Sequence, residues 1–379
     1  MRIAFYAPLS APIEGPPSGD RRVAVLLPQA LRLAGHAVDP VSTFRSFDRA
    51  GDPARQQCLR DQGLGIASAL LERWRVAPAS DRPQLWFTYH LYYKAPDWLG
   101  PVVSRELDIP YVIAEPSHAA KRATGPWALG HHACENAIRQ ASLLLCPSHD
   151  DMPALSSLLG GSARVVHLPP FLDTTVLRLE RGAREIHRTR LAAAHGIDPR
   201  PAWLLAVGMM RPGDKLASYR ALAQALALLV DRPWFLLVAG DGPMRAEVTR
   251  AFADTVPGRT AFLGELGQAA LAEVYAACDL LVWPAVNEAY GMALLEAQAA
   301  GLPVVAGKVR GVPDVVRDGA TGLLAPGGDH AALAACVQAL LDSPARRSAM
   351  GRAAAQFVAG ERSLQVAAQQ LAQHLGRWA

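Results

Sequence analysis

Two carboxylates flank one helix start in the stretch from Leu280 to Val305. The apolar run Leu280–Trp283 ends at Pro284, and a short polar loop follows. A helix is then expected to begin near Tyr290–Gly291 and to close at Gly301, a glycine C-cap, before Pro303 opens the next strand. Glu288 falls in the loop and Glu296 in the second helical turn, about 7–8 Å beyond Gly291 along the axis. The amides at a helix start, here those of Tyr290, Gly291 and Met292, favour phosphate. An acid on either side of such a cradle suits a ligand with hydroxyls at both ends and phosphates between, the layout of a nucleotide-diphospho-sugar. Glu288 would hold the sugar and Glu296 the ribose diol. The spacing alone also fits an amphipathic helix with two solvated glutamates.

Cations for a diphosphate are present in Gly208-Met209-Met210-Arg211-Pro212-Gly213-Asp214-Lys215, a turn that follows an apolar run. The segment resembles a Walker A loop but has Asp214 where the lysine belongs and no Ser or Thr after it, so a P-loop NTPase is rejected. Arg211 offers a planar fork and Lys215 a point charge, both at the carboxyl edge of a sheet. Near the N-terminus, the turn from Ser10 to Arg22 lacks the G-x-G-x-x-G of a dehydrogenase and instead reaches Gly19 at a helix start, where it could lie close to a phosphate or sugar. No D-x-D triplet occurs. A carboxylate pair holding Mg²⁺ is therefore not expected, and protein cations and amides must neutralise the leaving group.

These residues need a scaffold, and the chain alternates strand-like and helical patterns nearly throughout. Strands are expected at Ile3–Ala7, Leu85–Tyr89, Tyr111–Ala114, Leu143–Cys146 and Val165–Leu168, then at Trp203–Val207, Phe235–Ala239, Ala261–Leu263, Leu280–Trp283 and Val304–Ala306. Helical stretches such as Arg21–Ala34, Leu216–Val230 and Ala269–Ala277 separate many of them. Such alternation means parallel sheets with helices on both faces. The Arg- and Pro-rich segment Phe171–Arg200, poor in apolar runs, reads as the connection between two series. The expectation is an α/β protein of two Rossmann-like domains facing a central cleft, residues 1–172 and 173–360. A closing helix over 361–379, with Leu364, Ala368, Leu371 and Leu375 on one side, would pack back on the first.

With 379 residues, 51% hydrophobic and 19% charged, the chain is globular and long enough for two domains. A net charge of +4 suits anionic ligands or an acidic membrane surface and is too mild to argue for nucleic acid. Five cysteines without a C-x-x-C pair read as reduced thiols. The first residues read as a strand rather than a signal peptide, and no apolar run reaches the length of a membrane span. A cytoplasmic protein is expected, one that could still lie peripherally on the inner face of the membrane.

Taken in order, several pieces resemble the retaining glycosyltransferases of family four, which have the GT-B fold. They are Gly35-His36-Ala37-Val38 leading into the second strand, Ala206-Val207-Gly208 with Arg211 and Lys215, Ala239-Gly240-Asp241-Gly242-Pro243 and Phe262-Leu263-Gly264. The Glu288–Glu296 stretch, Gly301-Leu302-Pro303-Val304-Val305 and Asp318-Gly319-Ala320-Thr321-Gly322-Leu323-Leu324 complete the set. The resemblance covers nearly the whole chain and is strongest in its second half. It implies a metal-independent, retaining transfer of a sugar from a UDP- or GDP-linked donor to a glycan, lipid-linked or small-molecule acceptor, with no cofactor and a place in polysaccharide assembly. Glu288 would contact the transferred sugar, Glu296 the ribose, Arg211 and Lys215 the diphosphate, and backbone around Gly264–Leu266 the base. Gly19 would meet donor phosphate.

Departures from the pattern are also visible. Lys215 is followed by Leu216 where the family often has glycine. Pro116 stands where a strand-end histidine is usual, with His118 two residues later and Glu115 just before. His118 is favoured as the group near the sugar. His90, at another strand end, reads as an acceptor-site or structural residue. His131 and Glu135 share a helix face, but the sequence offers no further ligand, so a metal is not expected. Tyr89, Tyr92, Tyr93 and Trp98 could stack on a sugar acceptor or pack in the core. An epimerase or sugar phosphorylase of the same fold, or a non-catalytic nucleotide-sugar binder, is the alternative.

Overall fold

The protein is represented by a computed structural model, which describes residues 1–9, 19–161 and 163–378. Apart from Gly19, most of the loop expected near a phosphate (residues 10–18) lies outside the described residues. The chain forms two compact units, Met1–Pro169 with Leu364–Ala379, and Pro170–Ser363.

Each unit is built on a six-stranded sheet whose strands all pair in parallel. In the first unit these are β1 (Arg2–Tyr6), β2 (Ala37–Pro40), β3 (Leu85–Leu91), β4 (Tyr111–Pro116), β5 (Leu143–Cys146) and β6 (Val165–His167), in the order β2-β1-β3-β4-β5-β6. The second has β7 (Ala202–Val207), β8 (Trp234–Ala239), β9 (Thr260–Gly264), β10 (Leu280–Trp283), β11 (Val304–Lys308) and β12 (Gly322–Pro326), in the order β12-β11-β10-β7-β8-β9. The central strands are near-continuous Leu, Val, Ala and aromatic runs because helices cover both faces of a parallel sheet. The edge strand β12, absent from the strands expected by pattern, carries only Leu323, Leu324 and Ala325 between Gly322 and Pro326. So short a run gives no periodic signal.

The segment read as a connection is helical. The helix Arg184–His195 belongs to the second unit and is docked by arginines rather than by an apolar stripe. Arg188 donates to the carbonyls of Pro199 (2.9 Å), Ala277 (2.9 Å) and Pro201 (2.6 Å) and to Asp279 Oδ2 (2.9 Å). Its guanidinium also stacks 4.3 Å from the centroid of Trp203. Arg184 donates to Asp279 Oδ1 at 2.7 Å. Here the charged residues face inward, which is why the segment looked solvent-loving. The closing helix is also shorter than expected. Glu361 ends the preceding helix Pro344–Glu361, Ser363 bridges to Leu172, and a separate helix Leu364–Leu375 packs on the helix Gly19–Leu33 of the first unit.

Asp97 organises the core beneath β3 and β4. Only 2% exposed, it accepts from Thr88 Oγ1 (2.5 Å), Tyr111 Oη (2.9 Å) and the amides of Leu99 and Gly100 (2.8 Å each). Trp86 Nε1 in turn donates to Thr88 Oγ1 at 2.9 Å. Burial raises the Asp97 carboxyl pKa, and the Gly100 amide, Thr88, the Leu99 amide and Tyr111 oppose that rise.

β3 and β4 end in left-handed backbone, at His90 (φ 60°) and Glu115 (φ 56°). Such strain persists only where surrounding structure enforces it. His90 Nδ1 lies 3.5 Å from Asp20 Oδ1, at the start of the helix Gly19–Leu33, and 3.6 Å from Glu115 Oε1. Burial disfavours the imidazolium, but Glu115 and Asp20 outweigh it and push the His90 pKa up to about 9.

Two measurements check these assignments. Asp97→Ala strands buried donors at about 1–3 kcal/mol each, so urea unfolding should lose at least about 3 kcal/mol, and a loss under about 1 kcal/mol contradicts the network. His90 has a folded pKa of about 9, above the ordinary 6.5. Its contribution is therefore full below the ordinary value and is lost as pH rises through the folded one. The stability advantage of wild type over His90→Asn should shrink between about pH 6 and about pH 10, and an advantage that grows refutes the ion pairs.

Candidate functional site

In the second unit the strand ends are drawn together by close backbone contacts. Gly240 (φ 138°), just after β8, lies so near the turn after β7 that a Cβ there would sit 1.9 Å from the Gly208 carbonyl oxygen. Gly208 in turn lies under aromatic rings, since its Cβ would meet Trp283 and Tyr219 at 3.3 Å. Tyr219 Oη donates to Gly208 O at 2.6 Å, and its ring meets Trp283 edge-to-face with centroids 5.0 Å apart. The turn that carries Arg211 and Lys215 is thereby fixed against the last residue of β10.

The loop after β10 bends through left-handed Ala285 (φ 60°), Asn287 (φ 50°) and Gly291 (φ 77°). Val286 N donates to Ser218 Oγ (3.0 Å) and Asn287 Nδ2 to Asp214 Oδ2 (2.9 Å), tying the loop to the helix Asp214–Ala227. Glu288 is delivered against that helix. Its Oε2 accepts from Lys215 Nζ at 2.6 Å and from Trp283 Nε1 at 3.1 Å. Lys215 Nζ also lies 5.4 Å from the Trp283 ring centroid.

The helix Met292–Ala299 starts at Gly291 and ends in a Schellman cap, with Leu302 N donating to Ala297 O and Gly301 N to Gln298 O (2.9 Å each). Glu296 lies in its second turn, 5% exposed, and Tyr275 Oη donates to its Oε2 at 3.0 Å. A carboxylate kept this dry needs such donors. Tyr290 and Met292 are buried, Gly291 is half-buried, and Arg211 is exposed with no ion pair among the described residues.

The structure thus joins Lys215 to Glu288 and ties Glu296 to Tyr275. Trp283 was not singled out from sequence. Its only signal was an aromatic residue closing an apolar strand just before the loop. Among the described residues, no metal-ligand cluster includes Glu288 or Glu296.

In the first unit Gly19 opens its helix, exposed. His118 lies beside the pair to which sequence assigned no further partner. Its Nε2 is 3.5 Å from Glu135 Oε2, and so is His131 Nε2. Arg139 donates to Glu135 Oε1 at 2.8 Å and is the first cause of that carboxyl's lowered pKa, while burial lowers that of His131. The three side chains could hold a metal ion, their ligand atoms all lying within 4.8 Å of one another. The guanidinium of Arg139 already balances the glutamate charge.

Comparison with known proteins agrees with this architecture. Residues 201–343 match the family model described as glycosyl transferases group 1. The 2-deoxystreptamine glucosyltransferase of Streptomyces kanamyceticus is 30% identical over 276 residues, 69% of this chain and 69% of that protein. A D-inositol 3-phosphate glycosyltransferase of Thermomonospora curvata is 30% identical over 396 residues, 93% of this chain and 90% of that one. Among solved structures, HepE of Anabaena in complex with UDP superposes with a TM-score of 0.73 at 16% identity, covering 100% of both chains. Sucrose-phosphate synthase of Thermosynechococcus elongatus gives a TM-score of 0.70 at 21% identity, over 99% of this chain and 98% of the other. The two parallel-sheet units are those of the GT-B fold, and the chain is an enzyme that belongs to the glycosyl transferases group 1 family.

Proposed function

We propose that the protein transfers a sugar, with retention of anomeric configuration, from a UDP- or GDP-linked donor to a glycan, lipid-linked or small polar acceptor. The observation that carries this reading is the convergence of Lys215, Trp283 and Glu288 on the loop that leads into the helix Met292–Ala299. The carboxylate of Glu296 lies one turn further along. That HepE has been solved with UDP and with UDP-glucose supports a nucleotide-sugar donor. The names of the two relatives, which act on 2-deoxystreptamine and on D-inositol 3-phosphate, support a hydroxylated acceptor.

In this reading the amides of Tyr290, Gly291 and Met292 meet the diphosphate at the positive end of the helix. Arg211, exposed and without an ion pair among the described residues, and Lys215 add cationic charge as the leaving group develops its own. A well-aimed donor of this kind is worth about 3–4 kcal/mol in the transition state. Lys215 is paired with Glu288, so neither charge is left unbalanced. Glu288 then accepts from hydroxyls of the transferred sugar and orients its anomeric carbon. The bond from that carbon to the β-phosphate oxygen breaks and the acceptor oxygen bonds to the carbon from the same face. The acceptor proton passes to a phosphate oxygen of the departing nucleoside diphosphate. Glu296, kept dry beside Tyr275, is suited to the two ribose hydroxyls, since a buried acceptor rejects a ligand lacking those donors.

The test is a pair of isosteric variants assayed against a panel of nucleotide-sugars. Glu288→Gln should lower transfer by about 100- to 1,000-fold while UDP binding and thermal stability hold. Glu296→Gln should act mainly on nucleotide affinity. Wild-type turnover in Glu288→Gln, or an inverted anomer in the product by NMR, would overturn the reading.

A further inference from the structure

The proposed donor chemistry leaves one group of side chains in the first unit unused. Tyr93 and Lys94 follow β3, Arg122 ends the short helix Ala120–Arg122 after β4, and Trp127 stands at the start of the helix Ala128–Gln140. Tyr93 and Trp127 meet edge-to-face with centroids 5.8 Å apart, and both cations lie against these two rings. Lys94 Nζ is 4.9 Å from the Trp127 centroid and 5.8 Å from that of Tyr93. Arg122 Cζ is 4.9 Å and 5.2 Å from the same two rings.

Two features of this group call for a ligand. Neither Lys94 nor Arg122 has a carboxylate partner among the described residues, so two like charges share one aromatic pair unbalanced. In addition, Arg122 Nε and Trp127 Nε1 are buried without a hydrogen-bond partner among the described residues. A buried donor left unmade costs about 1–3 kcal/mol, and cation–π contact returns about 0.5–2 kcal/mol without supplying an acceptor. Backbone packing fixes the arrangement. Gly130 lets its helix approach so closely that a Cβ there would lie 2.2 Å from the Tyr93 carbonyl oxygen, and Asp48 N donates to Lys94 O at 2.8 Å. The residues stand just beyond the carboxyl ends of β3 and β4, the edge at which open parallel sheets take ligands. An oxyanion would balance both charges and give the two idle N–H groups an acceptor, with the guanidinium fork suited to phosphate or carboxylate.

We propose that Lys94, Arg122 and Trp127 bind an oxyanion carried by the sugar acceptor, either a phosphate monoester or a carboxylate. That the ligand is the acceptor rests on the transferase reading above, whereas the anion site itself does not.

The full chain, saturated with UDP or GDP, whichever binds, so that its diphosphate site is filled, is titrated by calorimetry and thermal shift with glucose 6-phosphate, glucuronate and glucose. At least one of the two anions should bind and stabilise the wild type, less so as salt is raised, and glucose should not. The anion that binds more tightly identifies the substituent. Lys94→Gln and Arg122→Gln should each weaken anion binding about 10- to 100-fold and leave UDP affinity unchanged. If Arg122→Gln fails to fold, Arg122→Lys, which keeps the charge and loses the fork, should still weaken it. Glucose binding as tightly as the anions, no anion binding to wild type, or undiminished binding in the folded variants would overturn the site. Failure of both UDP and GDP to bind, with anion discrimination intact, would instead sink the donor reading alone.

Discussion

The second unit depends on how closely the turn after β7 can approach the end of β10. With Gly208 beneath Trp283 and Tyr219, no side chain separates the two strand ends. Lys215 and Glu288, 73 residues apart in sequence, therefore meet at 2.6 Å with the Trp283 indole closing the group. A long amine and a flexible carboxylate on loops would not hold one geometry on their own, because the entropy of ordering them rivals the gain of a solvated ion pair. The glycine contacts, the left-handed loop after β10 and the bonds from Val286 and Asn287 to the neighbouring helix provide that order beforehand. Preorganised charge of this kind is what a diphosphate leaving group needs.

The two carboxylates of this region are kept in different conditions. Glu288 is half-buried and balanced by a cation and an indole N–H. Glu296 is buried and tied to Tyr275 Oη, so its orientation is set before any ligand arrives. The first unit repeats the theme with other chemistry. Asp97 is locked in the core by four donors, and His90 is held as a cation between Asp20 and Glu115 at strained strand ends. Among the described residues, Lys94 and Arg122 are cations without an acid.

Much of this was legible in the sequence because it rests on local signals. Apolar runs marked the central strands, and Gly301 marked the Schellman cap. The Glu288–Glu296 spacing across Gly291 marked the helix start. What escaped reading lies in contacts between residues distant in the chain. The helix Arg184–His195 was hidden because arginines and Asp279, rather than leucines, hold it down. β12 was too short for a periodic pattern. Trp283 carried no polar signature until its indole N–H met Glu288, and His118 could not be linked to His131 and Glu135 without the fold that brings a β4 loop onto that helix. The resemblance pointed to a glycosyltransferase, as the family match bears out, but it did not name the partners that hold these side chains.

The central claim is that Lys215, held in place by Glu288 and Trp283, is a preorganised cation of a diphosphate site. Calorimetric titration of UDP into wild type and into Lys215→Met tests it most directly. If the claim is right, the variant folds normally and binds UDP about 10- to 100-fold more weakly, the loss expected for one charge-assisted contact. Equal affinity in the two proteins would contradict it.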